Sequence, residues 1–431
     1  MTVTALTNAR LMDPASGLDE QGRLIIEGAR IAAIEPGQGT DGLGEITQII
    51  DCGRHVLSPG LIDMRVFTGE PGAEQKETLG SASEAAAAGG VTTIVVMPNT
   101  DPVIDDVALV DFINRRARDT TIVKVRPMAA ITKGLEGQKM TEIGLLSQAG
   151  AVAFTDGDRP VADSLVMRRA LTYAANFGAL ICQHAEDLSL SSGGVMNEGE
   201  YALRLGLTGM PEEAESIMVE RDLALVALTG GRYHLAQVSS QKSLAAIARA
   251  KDADLNVTCS VSAHHLTLNE MDVADYRTFA KVRPPLRSEE TRQALGTGVA
   301  SGLIDCITSS HRPQAPEDKR LPFAEAADGT VGLETLLPAS LQLVHEDQAD
   351  LQSVLRALTQ RPAEILGMET GRLKVGAPAD LAVIDLGFPF KLDPATLRSR
   401  SRNTAFEGRV MQGRVVRTMV NGATVFEAAT D

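Results

Sequence analysis

The 431-residue sequence predicts an α/β fold, a (β/α)8 TIM-type barrel with a small β-sandwich domain formed from both termini. Three observations predict it. Short apolar runs bounded by turn residues alternate with helical patterns from about residue 57 to residue 368, and eight strands can be counted there. Both flanks instead alternate in short β pieces. Aromatic residues are only 3% of the chain and tryptophan is absent, so the core must use Ala, Val, Leu and Ile, which fill parallel strands and their covering helices.

Taken in order, residues 1–56 form the N-terminal part of the β domain, with the runs RLIIEG, RIAAIEP and TQIIDCG separated by glycine turns. Residues 57–368 carry the barrel. Its strands are expected at 57–64 (interrupted by Pro59 and Gly60), 91–97, 122–131, 151–155, 179–184, 233–239, 256–262 and 303–309. Helical patterns fall between them at 83–88, 166–175, 211–228 and 243–250. The third begins with proline and glutamates and is followed by Gly230 and Gly231, the start and stop signals of a helix. A doubly wound open sheet is the alternative, less favoured once the count reaches eight. Residues 369–431 complete the β domain with LAVIDL and RVVRTMVNGATVF, the latter turning at Asn421 and Gly422.

Composition narrows the functions. A net charge of −15 argues against a nucleic-acid or anionic-membrane binder, which needs a basic face. The four cysteines make no CxxC pair and suggest no disulfide framework, so a reduced, cytoplasmic chain is expected. The N-terminus lacks the order of a signal peptide, and runs such as VTTIVVM fall far short of the roughly 18 apolar residues of a spanning helix.

Active sites of such barrels lie at the C-terminal ends of the strands. There the sequence places Arg65 and Phe67, Asn99, Asp156, His184, Gln237, His264 and His265, and the run from Ser309 to His311. The set offers only two or three plausible metal ligands. In order along the chain, PGLIDMRVFTGEPG, GGVTTIVVMPNTDP, AFTDGDRPV, HAED with GGVMNEGE, AHHLTLNE, AKVRPPLRSEETR, GTVGLETLLP, RLKVGAPADLAVID and SRNTAFEGRVMQGRVV resemble the dihydroorotases of the amidohydrolase superfamily. The resemblance spans nearly the whole chain. It implies a metal-dependent barrel with a β-sandwich.

Where the family resembled has Asp-x-His-x-His, this chain has Asp63, Arg65 and Phe67, and Gly69 stands in place of the arginine that holds the substrate carboxylate. Asp156 and His184 match a metal-binding aspartate and histidine, and Asn99 a residue that orients substrate. Gln237 replaces a further ligand histidine. Ser309, Ser310, His311, Arg312, Pro313 and Gln314 stand for Thr-Asp-His-Ala-Pro-His, so Ser310 replaces the aspartate that moves the proton. Arginine cannot deprotonate to bind a metal and phenylalanine has no lone pair. The expectation is therefore a vestigial site without zinc or any other cofactor.

Each residue also has a plain structural reading. Asp156 serves as a cap or as an ion-pair partner of Arg65, which alternatively pairs with Asp63; His184 is a hydrogen-bonded core histidine, and His264 and His265 pack at the barrel mouth. Arg65, Arg283 and Arg312 form an anion-binding pocket or are three unconnected arginines. Three functions compete. The resemblance implies a non-catalytic subunit, homo- or hetero-oligomeric, serving as structural partner of aspartate transcarbamoylase in pyrimidine biosynthesis. The alternatives are a cyclic amidohydrolase of altered chemistry using His184, His311, Asp156 and Arg65, and a regulatory subunit that senses an anionic metabolite.

Overall fold

The computed structural model describes residues 2–39 and 46–429; residue 1, residues 40–45 and residues 430–431, all within the two flanks, lie outside it. The N-terminal flank contributes β1 (Val3–Asp13), β2 (Leu18–Glu27), β3 (Arg30–Pro36), β4 (Gln48–Asp51) and β5 (Val56–Pro59). The middle of the chain contributes β6 (Leu61–Val66), β7 (Val91–Val96), β8 (Lys124–Pro127), β9 (Leu180–Gln183), β10 (Arg232–Leu235), β11 (Val257–Ser262) and β12 (Cys306–Thr308). The C-terminal flank adds β13 (Leu381–Lys391), β14 (Val410–Val420) and β15 (Ala423–Glu427).

The two ends of the chain meet, because neither can bury its apolar face alone. They share one eight-stranded sheet in the order β15, β14, β13, β5, β1, β2, β3, with β4 paired to β1. The seam between the ends is antiparallel, Leu381 lying opposite Pro59 and Ile384 opposite Val56. Asn421 and Gly422 form the turn between β14 and β15, with Val420 paired to Ala423. A separate core of Leu6, Leu11, Leu24, Ile26, Leu57, Leu381, Val383 and Met419 fills this unit.

In the middle of the chain the pairing is parallel. β6, β7 and β8 form one run, and β9, β10, β11 and β12 a second. Single parallel bridges connect them: Ala129 to Phe154, Phe154 to Ile181, and Val66 to His311. Parallel pairing thus passes from β6 round to β12 and back to β6. Strands β6 and β7 are buried at every residue, with no alternation, since one face meets the covering helices and the other the interior of the ring. Inside sit Met64, Val95, Met128, Ala153, Leu180, Cys182 and Cys306.

Two strand expectations need correcting. The first run, 57–64, is two elements: β5 belongs to the terminal sheet, and only β6, beyond Pro59 and Gly60, belongs to the ring. The fourth, 151–155, is reduced to the bridges at Phe154. Three of the four helices extend further than their apolar stripes because polar caps set their ends. Asp163 accepts from the N–H groups of Leu165 and Val166 to start Ser164–Ala175, and Ser240 caps Gln241–Asp252. Gly230, in the left-handed conformation, ends Glu213–Thr229. All four cysteines are buried and free, and no helix among the described residues is long and apolar enough to cross a membrane.

Candidate active site at the mouth of the strand ring

The segments leaving the C-terminal ends of the parallel strands enclose a small cavity lined by Arg65, Phe67, Met97, Asp158, Gln237, His264, Arg283, Ser310, His311 and Arg312, among others. Its volume is about 20 Å³, enough for one water molecule. A much larger groove of about 480 Å³ lies at the opposite ends of the strands, beside Lys251, Asp305 and Arg361. Asp305 binds both of those cations there, so that groove is a structural ion-pair site remote from the mouth.

Arg65, next to the last residue of β6, buries its guanidinium in the mouth. Its Nη2 donates to Asp158 Oδ1 at 2.7 Å and more weakly to the Gly157 carbonyl at 3.4 Å. The other oxygen of Asp158 receives Arg312 Nη1 at 3.0 Å and Asn99 Nδ2 at 3.1 Å. Burial opposes the charge on Asp158, but Arg312 and Arg65 outweigh it and hold the carboxyl below its usual range. Asp158 is the residue that sequence reasoning missed, although it stands two places beyond Asp156 in the same motif. Between them Gly157 has φ +70°, and a Cβ there would lie 3.1 Å from Asn99. This turn is what carries Asp158 into the mouth.

Asp156 is turned away. It accepts from the Thr132 N–H at 2.9 Å and from the Thr132 hydroxyl, and burial raises its carboxyl above the usual range. Its expected pairing with Arg65 is therefore corrected; the cap reading holds. Asp63 meets Arg65 only through the backbone, accepting the Arg65 N–H at 3.1 Å and the Ser309 N–H at 3.3 Å, and burial pushes it up to about 6.

The histidines are divided among separate partners. His184 Nε2 lies 3.1 Å from Glu186 Oε2, and its Nδ1 is buried without a partner among the described residues. Glu186 is gripped in turn by Arg283 and Ser191; burial opposes its charge, but His184 and Arg283 hold the carboxyl far below its usual range. His311 Nδ1 accepts the Gly332 N–H at 3.2 Å, which leaves Nε2 to donate to Glu77 at 3.3 Å. Gln237 Nε2 donates to Ser310 Oγ at 2.5 Å, while Gln237 Oε1 has no partner among the described residues. His264 Nε2 is also buried and unpartnered among the described residues, and burial pushes the His264 imidazole well below its usual range. Its neighbour His265 is occupied by Ser262 and the Pro285 carbonyl.

Two expected site residues stand aside. Gln314 accepts from Lys76 Nζ at 2.7 Å and donates to the Asp328 carbonyl. Gly69 sits at φ +68°, where a Cβ would lie 2.6 Å from the Ala73 carbonyl oxygen, so an arginine could not occupy this turn as it is built. The mouth therefore brings together Arg65, Phe67, Asn99, Asp158, Gln237, His264, Arg283, Ser310, His311 and Arg312. Glu77 and Glu186, also unassigned from sequence, anchor its histidines.

A ring of parallel strands with its pocket over the strand ends is an enzyme-type barrel arrangement, and the matches place it among the amidohydrolases. Residues 324–426 match the amidohydrolase family and residues 53–243 match the dihydro-orotase-like family. The chain is 46% identical to the dihydroorotase of Wolbachia sp. subsp. Drosophila simulans (strain wRi), over 98% of this chain and 95% of that one. It is 42% identical to the dihydroorotase of Syntrophus aciditrophicus (strain SB), over 98% and 99%. An L-hydantoinase (dihydropyrimidinase) from Arthrobacter aurescens has the same fold, with a TM-score of 0.89, 26% identity, and coverage of 99% and 96%. The chain belongs to the dihydroorotase-like family of amidohydrolases.

These likenesses correct the functional expectation. Relatives at 42–46% identity over almost the entire chain carry an enzyme's name, which overturns the non-catalytic reading and with it the purely structural role beside aspartate transcarbamoylase. The expectation of no cofactor is overturned as well, because members of these families are typically zinc-dependent. The side chains in this structure do not themselves fit such an ion. A zinc centre needs three or more His, Cys, Asp or Glu ligands brought together; no such group occurs among the described residues, and the Arg65 guanidinium sits in the mouth on Asp158. No step is therefore derived through a metal.

Proposed function

We propose that the chain is a cyclic amidohydrolase of the dihydroorotase type, opening or closing the amide of a carboxylated cyclic ureide in pyrimidine biosynthesis. In this reading residues 61–368 supply a (β/α)8 barrel, and the residues before them, with 369–431, the β domain beside it. The observation that carries the proposal is the 46% identity over nearly the full length to a protein called dihydroorotase. The mouth supports it with three arginines, and with Gln237 Oε1 and His264 Nε2 unpaired at the cavity wall. A hydantoinase-type substrate without a carboxylate is the second reading, and the arginines favour the first.

In the hydrolytic direction water adds to the ring carbonyl, the C–N bond breaks, and the departing nitrogen takes a proton. Of the groups first considered for acid–base work, His311 is held by Glu77 and Gly332, and Asp156 by Thr132. His184 remains: Glu186 fixes its Nε2, and its Nδ1 is free to carry the proton. Since the cavity holds one water molecule, binding requires the mouth to widen. The test is a dihydroorotase assay in both directions on purified protein, with added zinc and after chelation. Turnover that disappears in His184→Ala is expected; absence of turnover under every condition overturns the proposal.

A further inference from the structure

Resting on that reading, we propose that Arg312 is the receptor for the substrate carboxylate and reaches it by releasing Asp158. The three arginines of the mouth are not equivalent. Arg65 has a side chain only 7% exposed, held by Asp158 and the Gly157 carbonyl. Arg283 lays two nitrogens on Glu186, one of them at 2.8 Å, and that bond raises it above the usual range. Arg312 is 32% exposed, and its guanidinium has a single ion pair among the described residues, to Asp158 Oδ2 at 3.0 Å.

The geometry makes release inexpensive. When Arg312 leaves, Asp158 still has Arg65 on Oδ1 and Asn99 on Oδ2, so no buried carboxylate is stranded. One guanidinium then exchanges an internal carboxylate for an incoming one of the same charge and shape. Gln237 Oε1 and His264 Nε2, which line the same cavity without partners, suit the amide and ureide edge of such a ligand. The ligand class is a small monocarboxylate bearing a cyclic amide.

Calorimetric titration with dihydroorotate, and with the uncharged ring dihydrouracil, tests the assignment in wild type, Arg312→Gln and Arg312→Lys. Loss of one charge-assisted contact should weaken dihydroorotate binding about 10- to 100-fold in Arg312→Gln. Arg312→Lys should recover part of the loss, and dihydrouracil should not distinguish the three proteins. Equal dihydroorotate affinity in wild type and Arg312→Gln overturns the assignment, as does a wild type that binds no dihydroorotate. A wild type that binds dihydroorotate through Arg312 yet does not turn it over upholds the receptor and overturns only the proposed activity. Because the lysine variant keeps the charge, it remains informative if the glutamine variant fails to fold.

Discussion

Three side chains share one carboxylate at the mouth, and their arrangement sets what single substitutions do there. Arg65 and Arg312 each take an oxygen of Asp158, and Asn99 shares the second. Removing a partner from a buried pair is costly because the remaining charge must stay out of water. Arg65→Met should lower stability by about 3 kcal/mol, near the low end of that cost, because Arg312 and Asn99 still hold Asp158. Urea unfolding followed by circular dichroism measures it; a change within experimental error would show that the pair is dispensable. The histidine, arginine and glutamine substitutions were readable from the sequence, as were the candidate arginines. That Asp158 and not Asp156 meets Arg65 was not, because the two differ only in what the left-handed turn at Gly157 does with the chain.

Strand β10 carries a histidine with no role at the mouth. His234 lies between the hydroxyls of Thr258 at 2.9 Å and Ser260 at 3.1 Å, and burial pulls it down to about 4. A base whose folded value lies below its unfolded value of about 6.5 binds fewer protons when folded. Its contribution is complete above pH 6.5 and is lost as pH falls towards 4. Taken alone, the shift corresponds to about 3 kcal/mol across that window. His234→Asn should flatten the dependence of the urea midpoint on pH between 4 and 6.5, and an unchanged slope would place the titration elsewhere. At this scale the apolar runs identified most elements but misplaced their ends. Burial on both faces removes the alternation that would mark a ring strand, and polar caps such as Asp163 and Ser240 extend the helices past their apolar stripes.

Across the whole molecule the two ends of the chain depend on each other. β5 lies between β13 and β1, so residues separated by more than 320 positions share one hydrogen-bonded sheet and one apolar core. A chain beginning at Val56 would leave Leu57, Leu381, Val383 and Met419 without Leu6, Leu11, Leu24 and Ile26. It should aggregate on expression, and size-exclusion chromatography checks this; a monodisperse fragment with native circular dichroism would show that the flank is separable.

The sequence by itself determined most of the strands, the two β flanks and the family, because apolar periodicity and long ordered motifs are local properties of the chain. It also showed which side chains replace the ligand residues of the family it resembles. From those replacements alone it pointed to an inactive protein, which the full-length relatives correct. Only the tertiary structure decided that Asp158 joins Arg65 to Arg312, that Glu77 and Glu186 hold the histidines, and that Asp156 faces away. Those contacts join residues up to 234 positions apart. They are set by how the parallel strands close on one another, and no local pattern encodes that closure.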